Sequence, residues 1–321
     1  LSNDAKRADA ACSFMSTFHF LHTPACGPAD DIGAMTVLEA AIQTTIGSKL
    51  DSSGRAAHLV RMERTNLTKL TQIGRGTFGR VYHMKTADGR DVAVKKYTSV
   101  TDIGRESLCR ELSILSAVEH DNILGCLGVI VKEDEEKRLD CVSAVLPLYK
   151  YNLRDYLDSH RGPTPPAPKA LIRQIFSGLA HLHAQNIIHR DIKHENVLVQ
   201  ESGALVLADF GISRVAAARS GSMTPTRFTT TCGFRPPEGM ARDTSRATRS
   251  GDVWAAALLA YNILGGSLVS LPSSASENQA FVRMAVLFGD HIPQAVFDRC
   301  VARFRITGTD NLRFKHCPFQ A

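Results

Sequence analysis

HRDIKHENVLVQESGALVLADFG, residues His189–Gly211, is the stretch from which the rest of the chain is read. It holds Asp191, Lys193 two residues on, Asn196 five residues on, and a second aspartate at Asp209. The apolar runs Asn196–Gln200 and Ala204–Ala208 predict two short strands joined by a turn at Glu201–Gly203. A hairpin of this kind brings Asn196 and Asp209 to one end, because one opens the first strand and the other follows the second. Two oxygen ligands meeting there, with a carboxylate and an ammonium beside them, suit Mg²⁺ holding a phosphate chain. Asp191 is then placed to accept a hydroxyl proton, and Lys193 to neutralise charge on a moving phosphoryl group.

The two blocks resemble the catalytic loop and metal-binding segment of eukaryotic protein kinases, H-R-D-x-x-x-x-N followed by D-F-G. A lone Asp or Asn is more often a turn residue or a cap. That account would have to hold at seven correctly spaced positions at once.

Composition sets the class. The 321 residues suffice for one large domain plus an extension, or for two lobes. Hydrophobic residues at 44% and charged residues at 22% are ordinary for a globular protein. A formal charge of +6 with no Lys/Arg-rich run argues against a nucleic-acid partner. Eight scattered cysteines without a CxxC pair read as free thiols in a reducing, intracellular compartment, cytoplasmic or nuclear. The apolar core VWAAALLAYNIL is too short to span a bilayer and reads as a buried central helix, so no membrane partner is expected. The chain begins with Leu1, so a targeting signal could precede it.

Residues 1–66 carry no recognisable chemistry and read as a mobile extension or docking segment, with an amphipathic helix expected around Ala34–Ile46. From Leu67 the texture changes to alternating apolar residues interrupted by Gly74, Gly76 and Gly79, with a hairpin turn at Ala87-Asp88-Gly89. Glycines here let backbone N–H groups approach phosphates. Val81 and the run Val92-Ala93-Val94-Lys95 resemble the kinase glycine-rich loop and its strand lysine. Lys96 is the alternative lysine, and the V-A-x-K register favours Lys95. Leu108, Leu112, Ile114, Leu115 and Val118 give a helical apolar stripe. By the resemblance, Glu111 on this helix pairs with Lys95. Val142–Leu148 corresponds to the hinge strand. Pro147 has no N–H, so adenine bonding there falls to Leu148 and Tyr149. The resemblance also places Ile73, Val81, Ala93, Leu146 and Leu198 around the nucleotide. A proline-rich loop, Arg161–Pro168, precedes a long helix expected over Ala170–Gln185.

The D-x-K pattern at Asp191–Lys193 resembles serine/threonine kinases rather than tyrosine kinases; His194 stands where the family has proline. After Gly211, Pro236-Pro237-Glu238 resembles the A-P-E motif, and Thr231 holds the family's threonine position. Thr226 lies where cyclin-dependent and mitogen-activated kinases carry an activating phosphothreonine. Arg110, Arg190 and Arg214 fall where that group gathers arginines around it. Thr224-Pro225 is a second candidate site. Arg235 matches the arginine of W-Y-R-A-P-E, with Gly233 and Phe234 replacing Trp and Tyr, which carries over a preference for proline after the acceptor. Asp252 is expected to anchor the catalytic-loop backbone. Leu271–Val296 reads as one following helix. Beyond about Phe297 the resemblance fades, leaving Arg303 or Arg305 as substitutes for the family's arginine that pairs with Glu238.

The resemblance implies an α+β, bilobal kinase fold: a small antiparallel sheet with one helix (67–148) and a larger, mainly helical lobe (149–321), shortened or divergent after about residue 297. It implies MgATP-dependent transfer to Ser/Thr hydroxyls of protein substrates, with a regulatory subunit or an upstream kinase as partner. The alternative is a catalytically silent pseudokinase scaffold with an incomplete large lobe.

Overall fold

The computed structural model describes residues 62, 66–76, 79–97, 102–133, 139–159, 168–215, 232–241, 248–265, 276–288 and 292–307. The expected helix at Ala34–Ile46, the loop 161–167, Thr224-Pro225, Thr226 and Thr231 lie outside them. The chain divides into two compact units. One is built from residues up to Tyr151 with Leu198–Val215, the other from Asn152–Val197 and the residues after Val215.

The first unit is organised on a five-stranded antiparallel sheet of order β1-β2-β3-β5-β4. Its strands are β1 (Leu67–Gly76), β2 (Gly79–Thr86), β3 (Asp91–Tyr97), β4 (Gly128–Glu133) and β5 (Leu139–Pro147). The β2–β3 turn falls at the expected Ala87-Asp88-Gly89. Gly89 sits at φ +87° and donates its N–H to the Thr86 carbonyl (2.9 Å). Alternation sends Leu67, Met84, Val92, Val94, Ile130 and Val145 into one core, because successive strand residues face opposite sides. Met62, in the expected extension, donates its N–H to Val129 O (2.8 Å). Helix α1 (Asp102–Ala117) buries Leu108, Leu112, Ile114 and Leu115, the stripe read from the sequence.

The hairpin of the opening stretch belongs largely to this unit. Its strands are β6 (Val197–Val199) and β7 (Leu205–Leu207), shorter than expected, with the turn closed by Gln200 N–H to Ala204 O (2.8 Å). Asn196 does not open the strand; it ends a 3₁₀ turn, His194–Asn196. Strand β7 is fixed by bonds from Leu124 N–H to Leu207 O and from Leu207 N–H to Asn122 O, both 2.9 Å.

The second unit is helical: α2 (Leu153–Ser159), α3 (Pro168–Ala184), α4 (Pro237–Met240), α5 (Arg249–Ile263), α6 (Glu277–Phe288) and α7 (Gln294–Phe304). Helix α5 starts on a Thr248 cap, whose hydroxyl accepts the Gly251 N–H (3.2 Å). It buries Ala255, Ala256, Leu258, Leu259 and Ile263, in line with the buried helix expected here, while Val253 faces outward. Among the described residues no helix is long and apolar enough to cross a membrane. The single helix expected over Leu271–Val296 is instead two, because Pro293 cannot continue a helix and caps the start of α7. Met240, Phe281, Met284, Ile292, Phe297 and Cys300 form the core between α4, α6 and α7.

Arg303 does not take Glu238 as its partner. It pairs with Glu277, which also pairs with Arg235, and it donates to the Met240 carbonyl. Among the described residues Glu238 has no ion pair. Arg303 lies on the same side of α7 as Cys300, one turn on, whereas Arg305 is already the left-handed residue that ends the helix. His194 is likewise tied in. Its ring meets Phe234 edge-on at 5.4 Å, and Arg154 Nη2 lies 3.5 Å from its Nδ1. Burial, reinforced by the Arg154 guanidinium and opposed by Glu195 and Asp158, pulls the imidazole down to about 4.

Two outcomes follow from these contacts. Arg303→Ala is expected to lower unfolding free energy in urea by about 1–3 kcal/mol, because a buried carbonyl and a carboxylate lose a charged donor. Glu238→Ala is expected to change it by less than about 0.5 kcal/mol. Unfolded His194 takes up its proton near pH 6.5, while the folded ring resists until about pH 4. Stability due to this group is therefore lost as pH falls through that window. His194→Gln should show a shallower loss in urea midpoints between pH 6.5 and 4, by on the order of 2–3 kcal/mol at the acid end; parallel curves would refute it.

Candidate active site

Strand β3 alternates, so Ala93, Lys95 and Tyr97 share one face. Helix α1 presents Glu111 toward the same place, and the segment after β7 delivers Asp209. Lys95 Nζ lies 2.8 and 2.7 Å from the two Glu111 carboxylate oxygens and 3.0 Å from Asp209 Oδ1. Its three N–H bonds are thus all engaged. Burial alone would lower the Lys95 pKa. The carboxylates of Glu111 and Asp209 outweigh burial and hold it above its ordinary value. Burial also pushes the Glu111 carboxyl above the usual range, against the pull of Lys95. Lys95, not Lys96, is the lysine that meets Glu111.

Asp209 adopts φ +66°, a left-handed conformation that aspartate tolerates better than most residues. Phe210 beside it is fully buried, and Ser213 N–H returns to Phe210 O (3.0 Å), which fixes the turn. Arg110 Nη1 donates to the Gly211 carbonyl at 2.6 Å, tying α1 to the same segment. Arg214 Nε is buried and has no hydrogen-bond partner among the described residues.

The glycines of the β1–β2 turn differ in what demands them. A Cβ on Gly79 would lie 2.3 Å from the Lys96 carbonyl oxygen, so strand packing alone requires glycine there. A Cβ on Gly74 would meet only Val81, at 3.5 Å, an ordinary contact. Gly76 and Gly79 face each other across the turn. Ala93 is buried, Val81 and Leu198 are half-buried, and Ile73 is exposed. The Leu148 carbonyl accepts a bond from Gln200 Nε2 (3.0 Å), a contact the sequence reading did not foresee.

In the second unit a single carboxylate organises the catalytic-loop backbone. Asp252 is buried and accepts the N–H groups of His189 and Arg190, each at 2.8 Å, and His183 Nε2 at 2.9 Å. This is the anchoring role expected of Asp252, with His183 added. Arg190 is held at φ +72°. His189 is fully buried and its Nδ1 accepts the Asp191 N–H (3.3 Å). The Asp191 carboxylate then receives Lys193 Nζ (2.5 Å) and Asn196 Nδ2 (2.9 Å). Asn196 Nδ2 also donates to the Asp191 carbonyl (2.8 Å), which leaves the amide oxygen as the acceptor end of that side chain.

Among the described residues no three His, Cys, Asp or Glu side chains gather as a metal-binding cluster. Carboxylate and amide oxygens of the kind this segment carries, completed by phosphate and water, would be the donors for a divalent ion. That donor set fits Mg²⁺. Cys126 and Cys300 are free thiols.

Two residues were missed from the sequence. Tyr97 could have been found, since it lies two positions after Lys95 on the same strand face. His183 carried no local signal, because its partner Asp252 is remote in sequence.

The family model described as protein kinase domain matches residues 67–294. CTD kinase subunit alpha of Schizosaccharomyces pombe is 34% identical over 205 residues, 62% of this chain and 33% of that protein. Cyclin-dependent kinase-like 2 of Oryctolagus cuniculus is 31% identical over 226 residues, 69% of this chain and 38% of that protein. Mitogen-activated protein kinase kinase 9 of Arabidopsis thaliana is 29% identical over 246 residues, 75% of this chain and 76% of that protein. The chain spans about a third of the length of the first of these relatives. With a small antiparallel sheet unit, a helical unit and this match over most of its length, the chain belongs to the eukaryotic protein kinase family, of the serine/threonine type and related to the cyclin-dependent and mitogen-activated kinase group.

Proposed function

We propose that the chain is an ATP-dependent protein serine/threonine kinase. The observation that carries this reading is the Asp191 carboxylate, held by Lys193 and Asn196 on a backbone anchored by Asp252. Asp191 orients an acceptor hydroxyl and takes its proton as the oxygen bonds to the γ-phosphorus and the bond to ADP breaks. Lys193 balances charge on the transferring group. Lys95, positioned by Glu111, holds the α- and β-phosphates. By the family resemblance Asn196 and Asp209 would hold magnesium, whose charge would offset that of the phosphates. Gly74 supports a phosphate-cradling turn, because packing does not demand glycine there. Gly76 and Gly79 complete that turn, and Ile73, Val81, Ala93, Leu148 and Leu198 border the adenine.

The D-x-K spacing supports serine and threonine as acceptors in protein substrates. Arg235 supports a preference for proline after the acceptor. Thr226 is proposed as an activating phosphosite gathered by Arg110, Arg190 and Arg214. The buried, unpaired Nε of Arg214 supports an anion there. A relative named as a kinase subunit supports a regulatory partner, alongside an upstream kinase.

Asp191→Asn is expected to cut transfer to a basic protein substrate by about 10²-fold or more while MgATP affinity stays within a few-fold. MgATP binding with equal, absent transfer by both forms would instead establish a silent scaffold. Phosphorylation at Thr226 is expected to raise kcat/KM at least tenfold over Thr226→Ala. A peptide-library assay that gives equal rates for the two forms would refute the switch, and the same library reads the proline preference.

A further inference from the structure

The Lys95 ammonium has three N–H bonds, and all three are spent on carboxylate oxygens, two of them on Glu111. To hold a phosphate it has to release at least one. Glu111 is 1% exposed, so an oxygen released there meets no water. A buried acceptor left without a donor is costly. Where the released oxygen is one of Glu111's rather than that of the part-exposed Asp209, a second donor near Glu111 offsets the cost.

Tyr97 supplies that donor. It ends β3, two residues beyond Lys95 and on the same face, and it is 2% exposed. Lys95 Nζ stands 5.3 Å from the centroid of its ring, within cation–π range. Its hydroxyl is buried beside the Glu111 carboxylate, close enough for the two groups to act on each other but short of a fully formed hydrogen bond among the described residues. Burial and the adjacent Glu111 carboxylate hold the phenol proton well above its usual pKa, so Tyr97 stays protonated and able to donate. The thiol of Cys126, the other group beside it, is already directed at the Gly128 carbonyl (3.3 Å), and burial pushes its pKa up to about 12.

We propose that Tyr97 is a positioning residue that takes over one Glu111 oxygen by hydrogen bond when Lys95 turns to the nucleotide phosphates. Tyr97 touches no substrate atom; it acts through Glu111 on the lysine. The inference rests on the reading of Lys95 as a phosphate ligand. It explains why a phenol is buried where a phenyl ring would pack as well.

The test is calorimetric titration of the full chain with MgADP and with adenosine, together with thermal melting. Tyr97→Phe is expected to weaken MgADP about tenfold, to leave adenosine within twofold, and to leave Tm equal or higher. In a Glu111→Ala background, where no carboxylate needs a donor, Tyr97→Phe is expected to change MgADP affinity by less than twofold. Unchanged MgADP affinity in Tyr97→Phe overturns the inference. So does an equal weakening of MgADP and adenosine, or a lower Tm, since either marks a packing role. Lys95→Met separates the two readings. If it weakens MgADP and Tyr97→Phe does not, the Tyr97 inference alone fails. If Lys95→Met binds MgADP as the unaltered protein does, the phosphate-ligand reading fails and the inference falls with it.

Discussion

A buried ammonium surrounded by carboxylates is the constraint on which the first unit depends. Lys95 joins a strand, a helix and the segment after a hairpin, and its partners lie 16 and 114 residues away in sequence. Removing the ammonium would leave Glu111 as an isolated charge in the sheet's interior, a state that proteins avoid by shifting pKa or by opening. The same ammonium draws on three carboxylate oxygens, and the cluster ties strand, helix and the segment after β7 together.

The second unit answers with an inverted arrangement, one buried carboxylate serving several donors. Asp252 holds two successive backbone N–H groups and an imidazole. That bonding fixes the path of the loop at Arg190, whose positive φ would otherwise be unfavourable for a residue with a long side chain. Asp191 inherits its position from this loop, and Lys193 and Asn196 then converge on it over a span of five residues. Local sequence spacing and a remote anchor cooperate here. The spacing brings the donors to Asp191, and the anchor holds Asp191 still.

Where this chain departs from the family pattern, its own contacts fill in. His194, in place of a proline, packs on Phe234, itself in place of a tyrosine, and burial keeps the ring neutral at ordinary pH. Arg303 reaches Glu277 and the Met240 carbonyl rather than Glu238, and Arg235 shares the same carboxylate. The region after the A-P-E-like motif is therefore held by a triad of two arginines and a glutamate. Phe281 and Phe297 pack at 5.6 Å in the core beneath.

Much of the fold could be read without coordinates, and so could the short-range spacing of the candidate site. Periodicity located the strands around Gly74–Gly79 and the stripe of α1. Turn chemistry located Gly89. Two spaced motifs offered Asp191, Lys193, Asn196 and Asp209 as candidates, and Lys193 and Asn196 do meet Asp191, because spacing within one loop is a local property that the chain carries in its order of residues. Non-local partners were a different matter. A helix was expected to run through Pro293, and two helices formed instead. An arginine was assigned to Glu238 by position, and it went to Glu277, because ion pairs are decided by which side chains the packed helices bring within reach. Tyr97 carried no assignment from the sequence. Only the fold, by burying its hydroxyl beside a carboxylate that shares a lysine, gave that oxygen a chemical context.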